Sequence, residues 1–497
     1  MNAIYLCAIA QPWISVIKQL DCQFNIKPSY IVHWKNDKKQ FIKANLKSCH
    51  LQQIDDAWKG LGFPAAADRY IFDEQELKEI SSYELVALKM MDRLDPDGES
   101  FPFNTRLYFF RDLLGYWFNI VEQRNIDIVI SPSVPHRVFD YALYVVCKMK
   151  SIKFLMFQLT PFGSNSILIN DIEKMPLPSD DGIEYLLPSK EVQEKITKVY
   201  EDYNKAVPDY MVKHEANAKK DYAKLSLSYS KKLSQSYKLL TSSPNTYWVE
   251  SGFLPNETQY SWFKFYAMQL KRKNMVETIK KDYSDIVIQE LPNSFVLVAL
   301  HYQPEETSCP TGGTYSDQIL MIQLLNQQLP ENTTILVKEH KSQFYSHQES
   351  ASGRNSLFYR RISQISDRIK FVSESHDPFE LIDQAQAVVT ISGTIGWESA
   401  IRGTPVLVFG RAWYEGMPRV FKVKTKSDIL EAWRQLSEQK DKDCQSEMMR
   451  FHAKLEKKFV RAKHYKSYLN NEDVTMAESV DNIVHGIVKF LELKSNI

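Results

Sequence analysis

The sequence predicts an α/β protein of two domains facing each other across a cleft, and three observations carry that prediction. Short β-rich runs alternate with helical periodicity in residues 3–158 and again from residue 294 onward, the pattern of parallel sheets with crossover helices. Between them, from about 185 to 290, the texture turns Lys-, Glu-, Ser- and Tyr-rich with few strand signals. The third is the stretch Ala385 to Pro418, where apolar Val388-Val389 enters a small polar turn. Trp397, Glu398, Ala400 and Ile401 follow at helical spacing, Gly403 ends the helix, and 406–409 return as a strand. The expected division is 1–185, 186–290 (a helical insertion or linker), 291–460, and 461–497, helices that could cross back to the first domain.

In the first half, 3–9 and 29–33 read as buried strands around a helix from about Trp13 to Leu20. Residues 72–94 form an acidic helix, Asp95-Pro96-Asp97-Gly98 a turn, and 105–123 an amphipathic helix marked by Leu107, Phe110, Leu113, Leu114, Trp117 and Ile120. A strand at 126–131, a helix from about Arg137 to Met149 and a strand at 153–158 complete a βαβ crossover. In the second half the strands fall at 294–300, 334–338 and 369–372, with helices near 317–328, 355–367 and 378–384. Residues 447–460 and 476–493 read as closing helices.

Composition narrows the partners. The chain of 497 residues has 62 basic and 61 acidic side chains, which leaves no electrostatic case for nucleic acid. Six scattered cysteines form no CxxC pair and read as free thiols of a reducing compartment. The first residues read as a strand and not as a signal peptide, and no run of 18 apolar residues appears. The expected location is the cytoplasm, with the inner face of the cytoplasmic membrane as a place of peripheral attachment.

The chemistry-bearing residues cluster at strand ends. Ser392, Gly393 and Thr394 open a helix, where orphan backbone N–H groups and the helix dipole favour a phosphate. Lys338 and His340 follow the 334–338 strand and add a cation and an imidazole to the same anion. Glu398, one turn into the helix, suits a ribose diol. His301 and Gln303 lie in the loop after the 294–300 strand and join this nucleotide-side set, and Glu305 in that loop is a candidate catalytic carboxylate. Across the cleft, His136 and Asp140 open the helix after the 126–131 strand. Asp140 there suits a general base or a nucleophile toward an anomeric carbon, although a carboxylate in a first helical turn also serves the dipole. HExxH spacing and a GxxxxGK[ST] loop are both absent, so no metal site or cofactor is expected and the reaction reads as metal-independent.

These residues carry a resemblance. ILVKEHK, SGTIGWESAIRGTPVLVFGRAWY, PHRVFDYALY and LHYQPE resemble the bacterial capsule-polysaccharide synthesis family, which includes transferases for Kdo and for nonulosonic acids such as pseudaminic acid. The resemblance is specific over roughly 294–420 and weaker over 126–160. It implies a GT-B fold of two Rossmann-like domains, a CMP-activated 3-deoxy-ulosonic acid as donor, and retention at the anomeric centre. The acceptor it implies is a capsule or surface glycan, with a lipid-linked form among the options. His340 and Ser392 to Thr394 look like the family's nucleotide-binding elements. Two departures stand out: Lys341 replaces the usual proline after the histidine, and Arg137 stands where a glutamate is usual. A UDP-sugar transferase or epimerase of the same fold, and a non-catalytic scaffold of capsule assembly, remain the alternatives.

Overall fold

Thirteen short strands set the architecture of the computed structural model, which describes residues 1–46, 49–64, 69–95, 101–178, 187–202, 262–303, 305–345, 353–438 and 445–493. The first domain holds β1 (Asn2–Ala8), β2 (Lys27–His33), β3 (His50–Gln53), β4 (Ile126–Ser131), β5 (Lys153–Leu159) and β6 (Asn165–Ile169). The second holds β7 (Phe295–Ala299), β8 (Thr334–Lys338), β9 (Ile369–Val372), β10 (Ala387–Thr390), β11 (Val406–Val408) and β12 (Val420–Lys422). A last strand, β13 (Phe459–Arg461), comes near the C-terminus.

The sheets run β13-β6-β5-β4-β1-β2-β3 and β12-β11-β10-β7-β8-β9. Counted within its own domain, each therefore has its first strand between its second and its fourth, the doubly wound Rossmann order. β1 through β5 pair in parallel, as do all neighbours of the second sheet, whereas β6 is antiparallel to β5 and β13 antiparallel to β6. Parallel strands with helices on both faces must be apolar on both sides, which is why β7 (FVLVA) and β10 (AVVT) are buried at every residue. The protein has the α/β architecture of a GT-B fold.

This order puts ligand sites at known places. In an open α/β sheet the crevice lies at the carboxyl ends of the two strands where the order reverses. Here those are β1 and β4 in the first sheet and β7 and β10 in the second.

Most helices fall where periodicity places them. The Glu74–Met90 helix starts at a capping box of Asp73 and Glu76, and Phe103–Gln123 buries Phe110, Leu113, Leu114 and Trp117. Four strands have no clear sequence signal. β3 reads HLQQ, and β6, β12 and β13 are five, three and three residues long. The closing helix expected over 447–460 ends at Glu456 instead, because 459–461 pair with β6 at the sheet's edge. Of the 186–290 segment, residues 203–261 lie outside the described residues, and its described flanks are the helices Lys190–Glu201 and Trp262–Ser284. Within the turn expected at 95–98, residues 96–98 also lie outside them.

The end of the chain returns to the first domain. The Met476–Phe490 helix, begun by a capping box of Thr475 and Glu478, lays Ile483 and Ile487 into the cluster of Trp13, Ile17 and Leu20. Trp13 Nε1 donates to the His464 carbonyl at 2.8 Å, and the His464 ring stacks on Phe157 and bonds Ser166. Ile483 is fully buried in that cluster. Ile483→Ala should therefore cost about 2–5 kcal/mol of stability, read as a lower urea midpoint; an unchanged midpoint would mean that the tail is not docked.

Candidate active site

The second domain's switch point is built around one neutral imidazole. His301 follows β7, and its Nε2 accepts the N–H groups of Ile391 (3.0 Å) and Ser392 (3.3 Å) while lying 2.8 Å from the Thr390 hydroxyl. Backbone N–H groups can only donate, so Nε2 carries no proton and the proton sits on Nδ1. Nδ1 then donates to Thr307 Oγ1 at 3.3 Å, and that hydroxyl donates to Glu305 at 3.0 Å. Burial, with His340 and Arg354 nearby, lowers the His301 pKa to about 3, which keeps the ring in this form. His301 thus holds the β10 turn from below and is not itself a free ligand contact.

The same bonds revise the phosphate turn. Ser392 and Gly393 were expected to offer free N–H groups. Instead Ser392 gives its N–H to His301, Gly393 gives its N–H to Thr390 Oγ1 (3.3 Å), and the Ser392 hydroxyl donates to the Thr307 carbonyl at 2.6 Å. The N–H groups with no partner among the described residues are those of Thr394 and Ile395, the first two of the Thr394–Ile401 helix. Tyr414, which sequence reasoning missed, crosses this turn and donates its hydroxyl to the Gly393 carbonyl at 2.6 Å. A Cβ on Gly396 would meet that hydroxyl at 2.2 Å, so the glycine spacing serves Tyr414.

His340 follows β8, within electrostatic reach of His301. Its Nδ1 accepts the Ser342 N–H at 3.3 Å, so the neutral ring carries its proton on Nε2 as a donor. Burial and the Lys338 charge lower its pKa to about 4. Lys338 does not point at this donor: its ammonium bonds the Glu374 carbonyl at 2.7 Å, and burial lowers its pKa to about 8. Gln303 is likewise occupied, accepting from Arg354 at 2.8 Å and donating to the Ser316 carbonyl. Glu398, half-buried, has its pKa raised to about 7 by burial and feels Lys195 and Arg402.

Under these loops lies a buried ion pair that periodicity could not reveal. Arg354 donates from Nε to Glu339 at 2.8 Å and from Nη2 to the His301 carbonyl at 2.9 Å, and both side chains are fully enclosed. Glu339 also accepts the Tyr359 hydroxyl at 2.7 Å. The carboxyl ends of β7 and β8 are tied together by this one guanidinium.

The first domain faces this site from its own switch point. His136 Nδ1 lies 2.7 Å from the Val134 carbonyl, so it holds the proton and Nε2 keeps a lone pair. Burial and the charges of Arg137 and Arg93 hold its pKa well below 6.5. The carboxylate opposite it is Glu306, 3.5 Å from Nδ1, and not Glu305. Glu306 keeps 22% of its side chain exposed, and burial raises its pKa to about 7 against the pull of Arg411 and Arg137. Burial raises Glu305 as well, but its carboxylate takes the Thr307 hydroxyl. Sequence offered adjacent glutamates and no means of telling which one crosses the cleft.

Asp140 is placed differently from a free nucleophile. It is fully enclosed, accepts the Arg137 N–H at 2.7 Å and pairs with the Arg137 guanidinium at 3.4 Å. Burial raises its pKa to about 6 against the Arg137 charge. Arg411 spans the domains from the second side, donating to the Ile172 carbonyl at 2.6 Å and to Gln158 at 2.5 Å. Phe162 meets Trp397 and Trp413 edge-on at 5.7 and 5.6 Å beside it. Among the described residues no group of three metal-ligating side chains exists, and no helix is long and apolar enough to cross a membrane.

Comparison with known proteins bears on the same segment. Residues 274–455, which contain β7 through β12, match the family model described as capsule polysaccharide biosynthesis protein. The match covers less than half of the chain. No curated protein sequence matches it. Among solved structures it is similar to the UDP-GlcNAc 2-epimerase of Methanocaldococcus jannaschii at 12% identity, 90% and 97% coverage of the two chains and a TM-score of 0.23. The UDP-GlcNAc 2-epimerase of Neisseria meningitidis bound to UDP-GlcNAc gives 12%, 98% and 100%, and 0.20. The β-Kdo 2,7 transferase KpsC of Thermosulfurimonas dismutans gives 10%, 84% and 97%, and 0.28. At these TM-scores none of the three likenesses carries an argument.

The buried pair beneath the domain's loops is the part most open to test. Glu339→Ala should leave Arg354 uncompensated and cost about 3–5 kcal/mol. The paired change Glu339→Leu with Arg354→Met should recover much of that loss in chemical denaturation; equal damage from both would assign the loss to packing.

Proposed function

We propose that the protein is a retaining glycosyltransferase that moves a 3-deoxy-ulosonic acid from its CMP-activated form to a capsule or surface glycan. The donor sugar is a nonulosonic acid such as pseudaminic acid, or Kdo. The observation that carries the reading is the second switch point, where unspent N–H groups of Thr394 and Ile395 stand beside an imidazole that presents Nε2–H. Neutral donors at a helix N-terminus suit a nucleotide phosphate and need no bound metal. The capsule-synthesis domain supports a glycan-building role.

In this reading the nucleotide lies on the second domain and the acceptor on the first. The bond from the anomeric carbon to the phosphate oxygen breaks, CMP leaves on the Thr394–Ile395 donors, and the acceptor oxygen bonds the anomeric carbon from the face that CMP left, so the configuration is retained. His136 Nε2 and Glu306 are the groups placed to take the acceptor proton, since one has a free lone pair and the other a pKa near neutrality. Asp140 positions Arg137 and the β4 turn, and Glu305 steadies His301 through Thr307.

Nucleotide binding tests the donor. CMP at about 100 times its dissociation constant should stabilise the protein by about 2.7 kcal/mol, read by thermal melting. Gly393→Val should abolish that gain, because its Cβ would meet the His301 ring at 3.1 Å, and His340→Ala should reduce it. Stabilisation by UDP in place of CMP would turn the reading to a UDP-sugar enzyme, and none from any nucleotide to a scaffold.

Proton transfer tests the acid–base pair. Glu306→Gln should lower kcat roughly 100- to 10,000-fold while CMP still stabilises the protein. The wild-type rate should inflect near pH 7, where Glu306 titrates. Loss of that inflection in the variant is the expected result, and an unchanged pH profile would remove Glu306 from the reaction.

A further inference from the structure

The returning C-terminal segment places a second set of side chains on the carboxyl edge of the first sheet, beside the β4 turn. Trp34 follows β2 at that edge, half-buried, and its Nε1 donates to the Cys7 carbonyl at 3.0 Å, which fixes the plane of the indole. Lys466 brings its ammonium to 4.8 Å from the indole centroid, and Arg137 its guanidinium to 5.9 Å. Tyr465 accepts a hydrogen bond from Arg137 at 3.2 Å. Two cations therefore lie within cation–π reach of one indole.

Nothing nearby neutralises them both. Lys466 is exposed and has no carboxylate partner among the described residues. The acid partner of Arg137 is Asp140, enclosed and 3.4 Å away. Asp37, three residues after Trp34, spends one carboxylate oxygen on the Ala10 N–H at 3.0 Å. The patch is thus a half-buried indole beside the exposed Lys466 ammonium, continuous through Arg137 with His136. Tyr468, two residues past Lys466, lies within electrostatic reach of Glu306, which joins the patch to the reacting groups.

We propose that Trp34, Tyr465 and Lys466 form the acceptor subsite and that it takes a sugar bearing a carboxylate. The inference rests on the glycosyltransferase reading and adds the acceptor's chemical class to it. The C–H face of a pyranose stacks on the indole, and its carboxylate pairs with Lys466. Arg137, only 6% exposed, contributes through its field and not by contact.

The test is calorimetric titration of the full chain with an oligosaccharide ending in a uronic or ulosonic acid, beside the same oligosaccharide with that carboxyl reduced to an alcohol. Wild type should bind the acid form more tightly, with an affinity that falls as salt rises. Lys466→Glu, at an exposed position, should weaken acid binding at least tenfold, leave the reduced form unaffected, and keep the melting temperature and any CMP stabilisation. Trp34→Phe should weaken both forms by a smaller factor. Acid binding unchanged in Lys466→Glu, equal binding of the two forms by wild type, or binding of neither would overturn the proposal. Lys466-dependent acid binding without stabilisation by any nucleotide would sustain the subsite and sink the donor reading.

Discussion

One buried guanidinium organises the second domain of this protein. Arg354 pairs with Glu339 and bonds the His301 carbonyl and Gln303, so the loop after β7 and the end of β8 move as one piece. A buried ion pair gives little net stability compared with an apolar pair of the same shape, but losing one partner is costly. Its consequence here is geometric. With the His301 backbone fixed, its ring reaches the N–H groups after β10 and sets the turn that opens the Thr394–Ile401 helix.

The phosphate turn is therefore shaped by consumption as much as by supply. Three successive N–H groups, of Ile391, Ser392 and Gly393, are spent inside the protein, and the next two face outward. Protonating His301 would put a donor against donors, and burial works against that charge. A turn of this design offers neutral hydrogen-bond donors, with cations such as Lys338 used structurally nearby.

The two Rossmann-ordered sheets meet at their switch points. β4 delivers His136 and Arg137, β7 delivers Glu306, and Arg411 crosses from the second domain to hold the first. The C-terminal segment does more than close the chain: β13 extends the first sheet and Lys466, after it, reaches Trp34. The helix expected over 447–460 gives way to this strand, because a three-residue strand carries no period of its own.

What the sequence determined by itself was everything with a local cause. Alternating strands and helices, the β10 turn and helix and the crossover at 126–158 follow from periodicity, glycine and capping residues, which act within a few positions of one another. What only the tertiary structure decided is how side chains distant in the chain share their hydrogen bonds. Ser392 and Gly393 read as free donors until His301, about ninety residues earlier, is seen to take one of those N–H groups. Glu305 and Glu306 are equivalent in sequence and differ because one finds Thr307 and the other His136. Asp140 reads as a catalytic carboxylate and Gln303 as a ligand contact, and they are spent on Arg137 and Arg354. A polar side chain's role depends on whether its bonding capacity is already used, and long-range packing settles that.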